Sequence, residues 1–364
     1  GNFVWAKQLG GTSQDNGASI AITDSGDLLV TGYFIGAADF DPGIGVMNLS
    51  SNGSADMFTL KLDSNGNLIW AKQIGGGAFD FGASVTSEAN GNVYVLGRFS
   101  GMVDFDPNVG VANFSSSGVV DMFIVKLDAN GSFIFASTVG GTGFSNVPLP
   151  TSIFVDISGN IYCSGNFMGQ IDFDPGFGIQ NLTAFGGGTN DIFILKLSAT
   201  GNFIFAKSFG NTGNDISSEL KVDAIGNIYI TGSFELTVDF DPGVGIYNLT
   251  AVNYSNMYIL KLDNVGNFIW VKDIGNASLG LEQGNSIALD PTGNIYTTGF
   301  FSGTTDFDPS ANINNITSNA SNDMFILKLD INGDYVWAKT AGSSGNDRGK
   351  DIAIDNSGNI FTTG

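Results

Sequence analysis

Ten aspartates, set in five pairs with a phenylalanine between the members of each, are the side chains of this sequence best placed to do chemistry. They are Asp39 and Asp41, Asp104 and Asp106, Asp172 and Asp174, Asp239 and Asp241, and Asp306 and Asp308, each pair followed by proline. On an extended backbone alternate side chains point to opposite faces, so both carboxylates of a pair face one way and the phenylalanine the other. Two carboxylates beside exposed carbonyl oxygens form a hard oxygen site suited to Ca²⁺. Asp56, Asp121, Asp191 and Asp323 each precede a later strand and could return to the same loop, with Asn256 in that place in one copy. The competing reading needs no metal: one aspartate caps the turn and the other neutralises a nearby lysine. In Asp41-Pro42-Gly43-Ile44, proline at the second position and glycine at the third predict a type II turn. Asn108 and Ser310 replace that glycine in two copies.

The remaining chemical inventory is sparse. Histidine is absent, which removes the commonest general base and the commonest transition-metal ligand. The lone Cys163 permits no intrachain disulfide and no thiolate metal cluster, and its place in a strand reads as a small core residue. A glycoside hydrolase or lyase needs only carboxylates. The only glutamates are Glu88, Glu219, Glu235 and Glu282, so such an enzyme would draw its acid and base largely from aspartate.

With 35 acidic against 14 basic residues the net charge is −21. Nucleic acid and anionic membrane surfaces call for basic patches, so neither is an expected partner. No apolar run approaches the roughly 18 residues that signal a membrane span, so no membrane insertion is expected.

The Asp-Phe-Asp-Pro blocks start at residues 39, 104, 172, 239 and 306, hence 65, 68, 67 and 67 residues apart. A regular period marks one supersecondary unit repeated along the chain. Residues present in every copy then build the unit, and function is sought in equivalent loops or in the copies that deviate. In the second copy, Gly82–Ser87, Val93–Phe99, Asp121–Leu127 and Phe133–Ala136 read as four strands separated by Asn-Gly-type turns. Such apolar, β-branched runs bounded by turn residues signal hairpins, and 52 glycines leave no room for long helices. Runs such as Phe193-Ile194-Leu195 are apolar on both faces, as expected of sheets stacked face to face. The expectation is an all-β chain: one β-propeller over residues 1–364, with four-stranded antiparallel blades of about 67 residues. Repeat starts fall near 1, 66, 131, 201, 266 and 333, giving five complete blades and a partial one, and six or seven when complete. The first residue is Gly and both ends fall inside a repeat, so the chain reads as a fragment of something longer. Phe3–Lys7 is expected to act as an outer strand.

The repeat resembles the bacterial β-propeller repeat labelled SBBP. The likeness lies in Gly10-Gly11-Thr12-Ser13-Gln14-Asp15 through Thr31-Gly32, and in Asp56-Met57-Phe58 through Lys61-Leu62. It extends over essentially the whole chain and implies a propeller. The Asp-Phe-Asp-Pro-Gly variant looks like repeats of large secreted Bacteroidota proteins, which implies an extracellular or bacterial cell-surface location. The first-loop aspartate of this signature stands at Asp15, Asp80, Asp215 and Asp347, with Ser145 and Gly280 aligned to it in two copies.

Other motifs read as structural. Asp330-Ile331-Asn332-Gly333-Asp334 begins like a calcium loop, but it lacks the later ligands and flanking helices and reads as a hairpin turn. Asn48, Asn113, Asn181, Asn248 and Asn315 each open an Asn-x-Ser/Thr sequon, readable as a glycosylation acceptor or as an exposed strand edge. Lys7, Lys72, Lys207, Lys272 and Lys339, with Lys61, Lys126, Lys196, Lys261 and Lys328, fall on fourth and third strands, where edge lysines oppose aggregation. Phe34, Phe99, Phe167, Phe234 and Phe301 are core fillers. Phe79, Phe81, Phe144, Phe177, Phe185 and Tyr254 are loop aromatics that could stack on sugars.

Together these observations predict a non-enzymatic extracellular or cell-surface scaffold, adhering to another protein or a surface glycan or self-associating, with calcium as the candidate cofactor. The alternatives are a lectin-like propeller and the carboxylate-only glycosidase or lyase.

Overall fold

The computed structural model describes residues 2–252, 254–275 and 280–364; the repeat start near residue 1 lies outside them. Strands make up the regular structure, and no helix among the described residues is long and apolar enough to cross a membrane. Five four-stranded sheets follow one another. The first holds Asp15–Ile22, Leu28–Phe34, Asp56–Leu62 and Leu68–Ile74, and the second Phe81–Ser87, Val93–Phe99, Asp121–Leu127 and Phe133–Val139. The third holds Val147–Val155, Ile161–Met168, Asp191–Leu197 and Phe203–Phe209. The fourth holds Ile216–Val222, Ile228–Phe234, Asn256–Leu262 and Phe268–Ile274, and the fifth Glu282–Leu289, Ile295–Phe301, Asp323–Leu329 and Tyr335–Ala341. Asp351–Ile354 and Ile360–Thr363 form a final pair. In every four-stranded sheet the strands lie side by side in chain order, the arrangement of a propeller repeat. The chain groups into two compact units, residues 1–163, 170–182 and 195–204 in one and 164–169, 183–194 and 205–364 in the other.

Local chemistry accounts for the hairpins. Asp63 Oδ1 accepts the N–H groups of Asn65 and Asn67, both at 2.8 Å, and Gly66 takes a φ of 76°. This is a tight loop closed by a left-handed residue, which glycine supplies without steric cost. Asp330 repeats it with the N–H groups of Asn332 and Asp334, so that motif is a hairpin turn.

The third strand of the first four sheets is buried along its whole length, because it is covered on both faces; this erases polar–apolar alternation. Phe40, Phe105, Phe173, Phe240 and Phe307 are buried to within 1% of full occlusion. Phe105 packs 5.2 Å from Phe99 and 5.0 Å from Phe123, and Phe307 packs 5.2 Å from Phe301 and 5.3 Å from Phe325. Each Asp-Phe-Asp-Pro phenylalanine therefore plugs the sheet beneath its loop.

Two strand-level expectations are corrected. The third-strand lysines are not edge residues. Lys61, Lys126, Lys196 and Lys261 are buried, and Lys126 Nζ lies 4.7 Å from the centre of Tyr94 and 3.1 Å from Glu88 Oε1. Lys196, Lys261 and Lys328 sit over Tyr162, Tyr229 and Tyr296 in the same way. The aliphatic stem fills the sheet and the ammonium is held by a ring face. Phe3–Lys7, in turn, forms no strand, because no third strand among the described residues pairs with it. Its Trp5 indole still donates to Ser64 O, as Trp70 donates to Ala129 O.

Candidate functional site

The ten paired aspartates lie on one recurring loop and do the same work in every copy. Asp39 Oδ1 accepts the N–H groups of Asp41 at 3.0 Å and Met47 at 2.8 Å. Asp104, Asp172, Asp239 and Asp306 each accept two N–H groups from the same places. The second aspartates, Asp41, Asp106, Asp174, Asp241 and Asp308, each cap the N–H two residues on, at 2.8 or 2.9 Å. The N–H groups of Asp41 and Met47 hold the Asp39 carboxyl below the usual range. Gly43 does not adopt positive φ, so the expected type II turn is replaced by a side-chain cap. That cap explains why Asn108 and Ser310 serve equally well there.

Asp56, Asp121, Asp191 and Asp323 hold their own preceding loops through Oδ2, from Asn52, Ser117, Phe185 and Asn319 respectively. In each the other oxygen, Oδ1, is buried without a partner. Among the described residues no three Asp, Glu, His or Cys side chains converge as a metal cage.

The first-loop aspartate is a clamp between consecutive sheets. Asp80 accepts from Gly76 N at 2.7 Å and Ser100 N at 3.1 Å, while its own N–H donates to Ala55 O. Asp215 repeats this with Asn211, Glu235 and Asn190. Burial pushes Asp80 up to about 6 and Asp215 to about 7; the N–H groups oppose the rise, and Asp56 and Asp191 add to it. Glu282, not Gly280, occupies this place in the fifth sheet, since its N–H donates to Ser255 O. In the third sheet the place falls on Pro148, not Ser145, because Ile153 N donates to Ser84 Oγ as Val85 N donates to Ser19 Oγ. The preceding loops are longer in these two copies, which displaces an alignment made by spacing alone.

A bulge beside this clamp re-aims one side chain per first strand, at Ser19, Ser84, Glu219 and Ser286; bulges often have this effect next to functional sites. In the second unit the copies differ at this place. Ser286 Oγ lies 2.5 Å from Glu219 Oε2 and 2.8 Å from Asp351 Oδ1, and Lys221 Nζ lies 2.5 Å from Glu219 Oε1. Burial would lower the pKa of the Lys221 ammonium, but the charges of Glu219 and Asp351 raise it. The Ser286 hydroxyl thus stands between the Glu219 and Asp351 carboxylates and in contact with both.

In the first unit the ends of three successive first strands enclose a groove of about 400 Å³, lined by Asn16, Tyr33, Phe81, Arg98, Pro150 and Thr151 among others. Tyr33 meets Phe81 edge-on at 4.8 Å, and Phe79 stacks parallel to Phe81 at 5.9 Å. The Arg98 guanidinium lies over the Phe81 ring at 5.1 Å. Burial lowers the pKa of Arg98, and no carboxylate offsets that. Counting from the buried phenylalanine at or next to the end of each second strand (Phe34, Phe99, Phe167, Phe234 and Phe301), the place of Arg98 is held elsewhere by Tyr33, Asn166, Ser233 and Phe300. The loop caps repeat without change while these places vary. Sequence reasoning marked Phe81 as a loop aromatic and missed Arg98. The available signal was that the chain's two arginines, Arg98 and Arg348, both stand outside the repeating lysines.

The family model described as the β-propeller repeat, SBBP, matches residues 269–299 and 336–364. Each match runs from the fourth strand of one sheet into the second strand of the next. An uncharacterized WD repeat-containing protein of Acanthamoeba polyphaga mimivirus is 27% identical over 330 residues, covering 76% of this chain and 23% of that protein. The regulatory protein FlaEY of Caulobacter vibrioides is 25% identical over 220 residues, covering 57% of this chain and 21% of that protein. The chain thus spans less than a quarter of the length of these curated relatives. A crystal structure of a protein of unknown function from Bacteroides caccae shares 11% identity with a TM-score of 0.29, covering 71% of this chain and 81% of that one.

Proposed function

We propose that this chain, which carries SBBP-type β-propeller repeats, is a non-catalytic binding scaffold displayed outside the cell or on its surface, where it adheres to another protein or a surface glycan. One contrast carries the reading. The ten Asp-Phe-Asp-Pro carboxylates are committed to backbone caps in every copy, whereas the exposed ends of the first strands carry unlike side chains around an aromatic groove. Invariant residues build the repeat, and variable ones are left to recognise a partner. The absence of histidine and the Ser286 hydroxyl standing between Glu219 and Asp351 support a non-catalytic role. Surface placement rests on the likeness of the repeat to those of secreted bacterial proteins.

Protease treatment of intact producing cells tests the location: a displayed chain is cleaved before lysis, and a chain protected until lysis contradicts the reading. Retention of the purified chain on envelope material tests the binding. Tyr33→Ala is expected to weaken retention, and Asp174→Asn, in a loop cap, to leave it intact once its fold has been verified. The reverse pattern overturns the assignment.

A further inference from the structure

We infer that the groove around Arg98 binds a sugar residue carrying a single carboxylate, such as a uronic acid at the end of a glycan; this rests on the binding-scaffold reading above. The argument begins with the cation. Ten of the fourteen basic residues are the lysines that recur with the repeat, nine of them on third and fourth strands and Lys7 at the equivalent place, and the other four are Arg98, Lys221, Arg348 and Lys350. Lys221 is paired with Glu219. Among the described residues the Arg98 side chain makes no ion pair and donates no hydrogen bond, although the net charge of −21 supplies carboxylates throughout the chain. It is half-buried, and what holds it is the Phe81 ring. Stacking on a ring face leaves the guanidinium edge, with its forked donors, open to a planar anion.

The surroundings select the rest of the ligand. Tyr33, Phe81 and Pro150 offer flat apolar surface, and Asn16, Thr151 and the Tyr33 hydroxyl add polar groups along it. The Tyr33 hydroxyl is held in place by Gln14 Nε2 at 2.8 Å. Flat faces edged by amide and hydroxyl groups suit a pyranose ring with its hydroxyls. The volume of about 400 Å³ lies near the lower end of the range for small-molecule sites. The net charge sets a further condition. A polyanion would be repelled by the molecule as a whole, whereas one carboxylate on an otherwise neutral body meets one unpaired guanidinium.

The test is a chemical-shift titration of the full chain with three separate probes: glucuronate, glucose and N-acetylglutamate. Saturable shifts at the amides of Tyr33, Phe81 and Thr151 are expected with glucuronate, and glucose should bind at least about tenfold more weakly. Arg98→Gln should weaken glucuronate by about tenfold to a hundredfold, the range for a hydrogen bond to a charged group. Arg98→Lys, which keeps the charge but not the fork, should fall between. Lys72→Gln, on a fourth strand where Lys72 bonds Asn108, serves as the control and should bind as the parent does. A dispersed spectrum and an unchanged melting temperature establish that each variant folds. Equal binding of glucose overturns the role of the anion, equal binding of N-acetylglutamate overturns the sugar class, and no saturable shift with any probe overturns the site. If glucuronate fails while envelope retention still depends on Tyr33, the scaffold reading stands and this inference alone falls.

Discussion

Arg98 and Phe81 are register partners on neighbouring strands, and the guanidinium carbon stands 5.1 Å from the ring centre. In the other unit Arg348 lies 4.3 Å above Phe300. A cation–π contact contributes about 0.5–1 kcal/mol when exposed and about 2 kcal/mol when desolvated, so Arg98→Ala at this half-buried site should destabilise the fold by about 1–2 kcal/mol. Phe105→Ala, which empties a fully buried aromatic site, should cost roughly 3–5 kcal/mol. Denaturant unfolding of both variants checks the contrast. A cost for Arg98→Ala as large as that for Phe105→Ala would make the arginine a structural residue.

Acidification should stabilise this protein before it destabilises it. Burial raises Asp215 to about 7 and Asp80 and Asp191 to about 6, against an unfolded value near 3.8. A folded pKa above the unfolded one means that the native state binds more protons across that window. This contribution is complete below 3.8 and is lost as pH rises through 6 to 7. Turn carboxyls act in the opposite sense. At Asp290 burial is outweighed by hydrogen bonds from Asn294 and Thr292, and its value falls to about 2, so its contribution disappears as pH drops from about 4 toward 2. The melting temperature should therefore be highest between about pH 4 and 5.5 and fall toward pH 8. Asp215→Asn should flatten the slope between pH 5 and 8. A parent that melts highest at pH 8 contradicts the linkage.

Much of this fold is legible in the sequence, because the features that build it are local and repeated. The Asp-x-Asn-Gly turns, the apolar third strands and the plugging phenylalanines each follow from residues within one unit. The misreadings arose where chain distance or loop length intervened. The longer loops before Pro148 and Glu282 displaced the clamp position, since spacing was the only ruler. The third-strand lysines looked like edge residues because their tyrosine partners, such as Tyr94 for Lys126, stand on another strand. Gly43 suggested a type II turn because the sequence does not show that the Asp41 carboxylate takes the N–H the turn would order. The groove was out of reach for a related reason. Asn16, Phe81 and Pro150 belong to three successive sheets and meet only when these stack.

Ser286 carries one hydroxyl hydrogen and touches two carboxylates. It can donate to Glu219 or to Asp351 but not to both, so the other contact sets lone pairs against each other. Asp351→Asn supplies an N–H for that contact and should raise the melting temperature at pH 8. A lower melting temperature at pH 8 would mean that the Asp351 charge is needed, through Lys221.

Backbone caps already satisfy the first oxygen of every Asp-Phe-Asp-Pro carboxylate. Melting curves in chelator and in millimolar calcium should coincide. A rise of several degrees in calcium, reduced in Asp172→Asn, would assign these loops to a cation instead.

Hydrogen exchange of the chain bound to envelope material, compared with the free chain, tests the division between building and binding residues most directly. New protection is expected at residues 16–18, 33, 81–83, 98 and 149–151, with no change at the five Asp-Phe-Asp-Pro loops. Protection concentrated on those loops, with the groove unchanged, would contradict the account.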